Sequence, residues 1–286
     1  MTLLQVVLQV LAVVVALHVI GLYVFTSVRD GQTAFRTART NARRVAPAAV
    51  VLGVVLVANG LIRDAGVQLS WLIGINITRD IYAVEGEFVA AVQSVATPEL
   101  TAFFSFMYVF GYAFLLTFPV IMYAFHEDRV PLMTTVVAYS LNYGLGLVCY
   151  VAFVAYGPRN FMPELVESLL YASWPQAQLL TSQVNVNTNV FPSLHASLAA
   201  TVAIVAYRFR ESHSRWVPVA VFFATSIGLS TMYLGIHWLI DVVAGIVVAI
   251  LSVAAALRIS EKSASGPHHL LGVRMTINRW LKNSNR

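Results

Sequence analysis

Apolar residues in this chain come in long unbroken runs, not in the alternation of a half-buried strand or the one-sided stripe of a surface helix. Runs free of Asp, Glu, Lys and Arg cover residues 1–28, 45–62, 100–125, 130–158, 191–207, 216–236 and 242–257. A helix needs roughly 20 apolar residues to cross the hydrocarbon core of a bilayer. The pattern therefore predicts about seven spanning helices and an all-α, polytopic membrane helix bundle. Residues 63–99 are too polar to cross, but 81–95 hold enough apolar positions for a helix lying along the surface. The first run lacks a basic start and a small-residue cleavage site and is too long for a secretion signal, so it reads as a retained anchor. The expected division is an N-terminal transmembrane anchor over 1–28, a membrane-embedded core over 45–257 and a basic tail over 258–286. No internal repeat or low-complexity segment interrupts it.

Composition agrees. The 286 residues are 58% hydrophobic and 11% charged, against about 25% charged in ordinary soluble domains. Cys149 is the single cysteine, which excludes an intrachain disulfide and reads as a packing residue.

Charge then orients the chain. With seven alternating spans, Arg29, Arg36, Arg39, Arg43 and Arg44, Arg129, Arg208, Arg210 and Arg215 and all basic residues of the tail fall on one side. Only Arg63, Arg79 and Arg159 of the 18 lysines and arginines fall on the other. The positive-inside bias makes the rich side cytoplasmic, the N-terminus external and the C-terminus internal, as expected for a cell-membrane protein. The net charge of +5 is explained by topology and anionic lipid headgroups, with no nucleic-acid surface of basic residues interleaved with aromatics. In the tail, residues 270–282 mix apolar and basic positions as a helix on the inner leaflet would.

Against this background the polar groups at membrane depth are functional candidates. His195 lies in FPSLHAS (191–197), near the outer end of the fifth run; His237 and Asp241 lie in STMYLGIHWLID (230–241), at the outer turn between the last two runs. Asp241 follows His237 by four residues, a helical spacing that lets the carboxylate hold one ring N–H and leave the other nitrogen as a nucleophile. Ser193 precedes a helix start, where free backbone N–H groups suit a phosphate. Arg159, on the outer loop after the fourth run, carries a guanidinium suited to phosphate oxygens. His18, His126, His213, His268 and His269 read as packed, interfacial or cytoplasmic residues. Asn142, Ser140 and Gly111 read as helix-packing devices, and Asn185, Asn187 and Asn189 as turn chemistry. Asn76 to Thr78 spells a glycosylation acceptor.

These two motifs resemble those of the type 2 phosphatidic acid phosphatase and haloperoxidase superfamily. FPSLHAS is similar to its Pro-Ser-Gly-His element, and Ser230, His237 and Asp241 to its third element. The leucine of FPSLH and the phrase STMYLGIHWLID look most like the branch of inositol phosphorylceramide synthases and their prokaryotic relatives. The resemblance implies a six-helix phosphatase core plus one extra N-terminal transmembrane helix, and a catalytic set of His237 (nucleophile), Asp241 (its orienting group) and His195 (general acid, then base). It further implies phosphate binding by Arg159, Ser193 and Ser230, with no metal and no cofactor. Three positions depart from the family pattern: Ala152 where a lysine is expected, Leu194 for glycine and Thr231 for arginine.

The expected function is a membrane lipid phosphatase or phosphotransferase, working at the extracytoplasmic face on a phospholipid or isoprenoid-lipid phosphate through a phosphohistidine. One alternative is an inositol-phosphate headgroup transferase. Others are a metal site made by His195, His237 and Asp241, and a catalytically silent scaffold or lipid transporter. The expected partners are the lipid phosphate and membrane lipids.

Overall fold

The computed structural model describes residues 2–26, 31–182 and 187–264, the side chains of 62–67 and 264 excepted. The expected tail helix over 270–282 and Asn185 lie outside the described residues. In chain order the elements begin with α1 (Leu3–Phe25), α2 (Gly31–Ile73), β1 (Ile75–Asn76), α3 (Thr78–Glu85) and α4 (Phe88–Gln93). Next come α5 (Pro98–Phe106), a π-helical turn (Met107–Gly111), α6 (Tyr112–Ala124), α7 (Val130–Ala152) and β2 (Phe153–Val154). Three short helices, α8 (Pro158–Phe161), α9 (Leu169–Ser173) and α10 (Ala177–Thr181), precede α11 (Leu194–Arg208), α12 (Trp216–Tyr233) and α13 (Leu239–Ala264).

The apolar runs become the helices of an all-α polytopic bundle, with local chemistry fixing their ends. Thr2 and Gln5 close a reciprocal capping box on α1. Thr97 caps α5 ahead of Pro98, whose missing N–H costs nothing in a first turn. Among the described residues six helical segments are long and apolar enough to span, with α5, the π turn and α6 making one of them, Pro98–Ala124. The seventh expected span is α11, whose 15 residues extend about 22 Å, short of a hydrocarbon core of about 30 Å. On α1 and α2 only 6% of the most apolar window is buried; such faces, with Val15, Val19, Val54 and Leu61 outward, suit hydrocarbon as solvent.

Three boundaries differ from the sequence pattern. The helix α2 runs through 43 residues, so Arg36, Arg39, Arg43 and Arg44, expected between the first two runs, occupy its early turns, and 63–73 continue it. The fourth run predicts apolar chain to residue 158, but α7 stops at Ala152 because Phe153 and Val154 pair in parallel with Ile75 and Asn76. The single surface helix expected over 81–95 is two helices, broken at Gly86, whose φ of +56° ends α3.

The central helix α7 packs against α2, α6, α11 and α13. Its buried Asn142 donates to Thr201 Oγ1 (2.8 Å) and accepts from Ser197 Oγ (2.7 Å), a polar link between α7 and α11 as expected of a packing device. His18 is likewise packed, edge-on to Phe114 and bonded to Thr117 Oγ1 (3.1 Å).

The bundle has two chemically distinct ends. At one, Asn41 of α2 donates to Ala124 O and His126 O, Arg129 to Ser263 O, and Arg208 pairs with Glu261. At the other, β1 and β2 pair, α3 and α4 lie across the start of α13, and the sequence motifs meet.

Candidate active site

The turn carrying His237 is built by backbone bonds. The N–H groups of Ile236 and His237 both donate to Thr231 O (2.9 and 3.0 Å), and Leu234 N to Ser230 O. Gly235 adopts φ +70°, and a Cβ there would press on Val166 Cγ1 at 2.7 Å. Thr231, the departure from the family's arginine, bonds its own helix at Gly228 O (2.7 Å) and supplies the carbonyl on which the turn is folded.

Neighbouring elements clamp this turn. Arg159 N donates to Gly235 O (3.0 Å), Gln93 Nε2 to Tyr233 O (2.9 Å), and the buried Trp238 Nε1 to Tyr156 O (2.8 Å). Gly157 is required here, since a Cβ would stand 2.2 Å from Ile236 O. The start of α13 then follows, and its first donors go to carboxylates: Trp238 N to Asp241 Oδ2 (2.8 Å), Leu239 N to Glu85 Oε2 (2.9 Å) and Ile240 N to Glu85 Oε1. Carboxylates at a helix N-terminus satisfy orphan N–H groups and match the helix dipole. Burial raises the Glu85 pKa above the ordinary carboxylate value, with those two N–H groups pulling the other way.

Asp241 therefore has two tasks. Its Oδ2 caps its own helix and stands 3.5 Å from His237 Nδ1, with both side chains almost wholly buried. Its backbone O accepts from Ser193 N (2.9 Å), tying α13 to the start of α11. Ser193 caps α11 by accepting from Ala196 N (3.3 Å). The two backbones touch because residue 245 is glycine; a Cβ would lie 2.4 Å from Ser193 O.

These contacts bring the two histidines together, with ring centroids 6.2 Å apart and planes tilted by 55°. His195 is held between Tyr108 (4.6 Å, stacked) and Tyr112 (4.5 Å). Arg159 lies near enough to His237 for their charges to interact. Its guanidinium sits 4.7 Å from the Tyr171 ring centroid, one nitrogen donates to Tyr171 Oη (3.3 Å), and Nη1 is buried without a partner. A buried unpaired cationic donor is costly unless an anion takes it.

Of the predicted residues, His195, His237, Asp241, Arg159 and Ser193 gather at this end. Ser230 is fully buried and donates to Ile227 O (2.7 Å), so its proton is used within its own helix. Leu194 turns toward α7, where Gly146 makes room; a Cβ there would stand 2.5 Å from Leu194 Cδ2. Among the described residues no three His, Cys, Asp or Glu side chains are grouped to hold a metal ion. Sequence reasoning missed Glu85, Gln93, Tyr108, Tyr112 and Tyr171. The aromatics sit inside apolar or turn-rich stretches with no distinguishing spacing, and Glu85 shares its stretch with Glu87, so sequence alone does not single it out.

A family model described as the PAP2 superfamily matches residues 82–255, from within α3 to the later turns of α13. No curated protein and no solved structure matches the chain.

Proposed function

For a chain that belongs to the PAP2 superfamily, we propose phosphoryl transfer on a lipid phosphate through a phosphohistidine, at the outer face of the cell membrane. The observation that carries the reading is the pair of neighbouring imidazoles, 6.2 Å apart, close enough for one phosphoryl group to touch both.

His237 attacks phosphorus with the ring nitrogen turned away from Asp241. The N–P bond forms as the P–O ester bond breaks, and His195 gives its proton to the leaving alkoxide. In the second half, an acceptor hydroxyl loses its proton to His195 and its oxygen attacks phosphorus, releasing His237. Asp241 holds the His237 ring and stabilises its positive charge. Arg159 Nη1 and the N–H groups at the start of α11 stabilise the phosphoryl oxygens. Tyr108 and Tyr112 keep His195 oriented.

The spans and the site's place at the end opposite the arginine-rich contacts support a lipid substrate presented from the outer leaflet. With water as acceptor a lipid phosphate gives free phosphate; where the donor phospholipid carries a phosphoinositol headgroup, its lipid alkoxide leaves, His237 holds the inositol phosphate, and a second lipid's hydroxyl as acceptor gives a new phosphoinositol lipid. The Leu194 and Thr231 marks favour the inositolphosphotransferase branch, and Leu194 and Thr231 both have structural partners in Gly146 and the 231–237 turn.

The test is turnover of a panel of lipid phosphates by purified protein, with and without inositol. His237→Ala abolishes turnover and phosphohistidine formation, and His195→Ala lowers turnover by about 10²- to 10⁴-fold, both with unchanged expression. A fully active His237→Ala protein overturns the reading. Lipid transport in proteoliposomes with no phosphate released marks the transporter alternative.

A further inference from the structure

A cavity of about 550 Å³ lies beside the site. It is lined by Val84 and Glu85 of α3, Phe88 of α4, Phe191, and Leu239 and Val243 of α13. We propose that it seats the apolar chain of the lipid substrate while the phosphate stands between the histidines; only its turnover arm rests on the phosphoryl-transfer reading.

Position argues for this occupant. Phe191 is separated from Ser193, the cap of α11, by one residue, and Leu239 from His237 by one residue, so the cavity adjoins the backbone on both sides of the site. Its α13 wall consists of the first turns of a spanning segment, Leu239–Ser263. A polar guest would lose hydrogen bonds on entering walls of Val, Leu, Ile and Phe side chains.

Chemistry agrees. The single charged lining group, Glu85, has each carboxylate oxygen engaged by an N–H of Leu239 or Ile240. No free donor or cation on the wall is shown to anchor a headgroup, and the exposed faces of Val84 (76%), Phe88 (42%) and Val243 (52%) are those an apolar chain would cover. The volume falls within the range of about 300–1,000 Å³ usual for small-ligand sites.

The test compares kcat/KM for a long-chain phosphatidic acid and a short-chain, water-soluble one, in wild type and in Ala244→Trp, which narrows the cavity. Val84→Trp, at an exposed lining position, serves if the first variant misfolds. The long-to-short ratio falls about tenfold, the worth of about two buried methylenes. An unchanged ratio in a folded variant overturns the proposal.

A second arm needs no turnover: phosphatidic acid with a photoreactive group in its tail is cross-linked to wild-type protein in micelles and mapped. Adducts within 78–93 and 239–250, displaced by unmodified phosphatidic acid, support the cavity; adducts only elsewhere overturn it. A wild type that neither releases phosphate from either lipid nor transfers it to an added hydroxyl acceptor sinks the phosphoryl-transfer reading, while the cross-link map still decides the cavity.

Discussion

Arg159 is the charge on which phosphate binding turns, and its surroundings show why. Tyr171 holds one face and one nitrogen of the guanidinium, fixing its plane, while buried Nη1 is left unpaired. A charge-assisted hydrogen bond is worth about 1.5–3 kcal/mol, so Arg159→Ala lowers kcat/KM about 10- to 100-fold in the turnover assay. Arg159→Lys does not restore it, because an ammonium cannot keep the planar contact with Tyr171 and reach the phosphate as well. Recovery of full activity with lysine would mean that only the net charge counts. Gly245, like Gly157, leaves no room for a Cβ against backbone. Any side chain there drives α13 from Ser193 O, so Gly245→Ala costs turnover even where the protein still folds, read as specific activity of the correctly folded fraction.

At the scale of elements, the start of α13 depends on a carboxylate from another helix. Glu85 takes the N–H groups of Leu239 and Ile240, doing from α3 what a local capping side chain does elsewhere. Removing a cap costs about 0.5–2 kcal/mol. Glu85→Ala lowers thermal stability accordingly and reduces kcat more than it raises KM, since the His237 turn loosens; Glu85→Gln, which keeps one acceptor, recovers part of both. At the other end, His213 in the α11–α12 connection has its pKa lowered to about 4, by burial first and then by His126, whose ring is 5.2 Å away. The neutral ring is favoured in the folded state, so the unfolded chain binds its proton first. Stability from this group is complete above about pH 6.5 and is lost as pH falls toward 4. His213→Asn flattens the melting temperature over that window; an unchanged slope would count against the burial of this ring.

The whole molecule separates an arginine-rich end from a site end. Glu127 and Glu87 are exposed at the two ends respectively. With Cys149→Ser as background, Glu87→Cys in intact cells reacts with a membrane-impermeant maleimide, and Glu127→Cys reacts only after lysis. The reverse pattern would place the site in the cytoplasm.

Sequence by itself determined what one-dimensional chemistry can carry. Runs too apolar for water require hydrocarbon, and the four-residue step from His237 to Asp241 keeps the pair at one turn, although His237 stands two residues ahead of α13 and not on the helix face that the spacing suggests. Membership in the superfamily was legible in FPSLHAS and STMYLGIHWLID for the same reason: each motif is one local turn, whose residues are neighbours in the chain. Tertiary structure alone decided which groups stand around them. Glu85 meets α13 across 154 positions, Tyr108 and Tyr112 reach His195 from a different span, and Gly146 makes room for Leu194. It also ended α7 at Ala152, because a strand pair between distant segments outweighs a continuing apolar run. Such contacts depend on how helices pack, and in hydrocarbon that packing is set by close fit and a few polar links, not by the hydrophobicity a sequence displays.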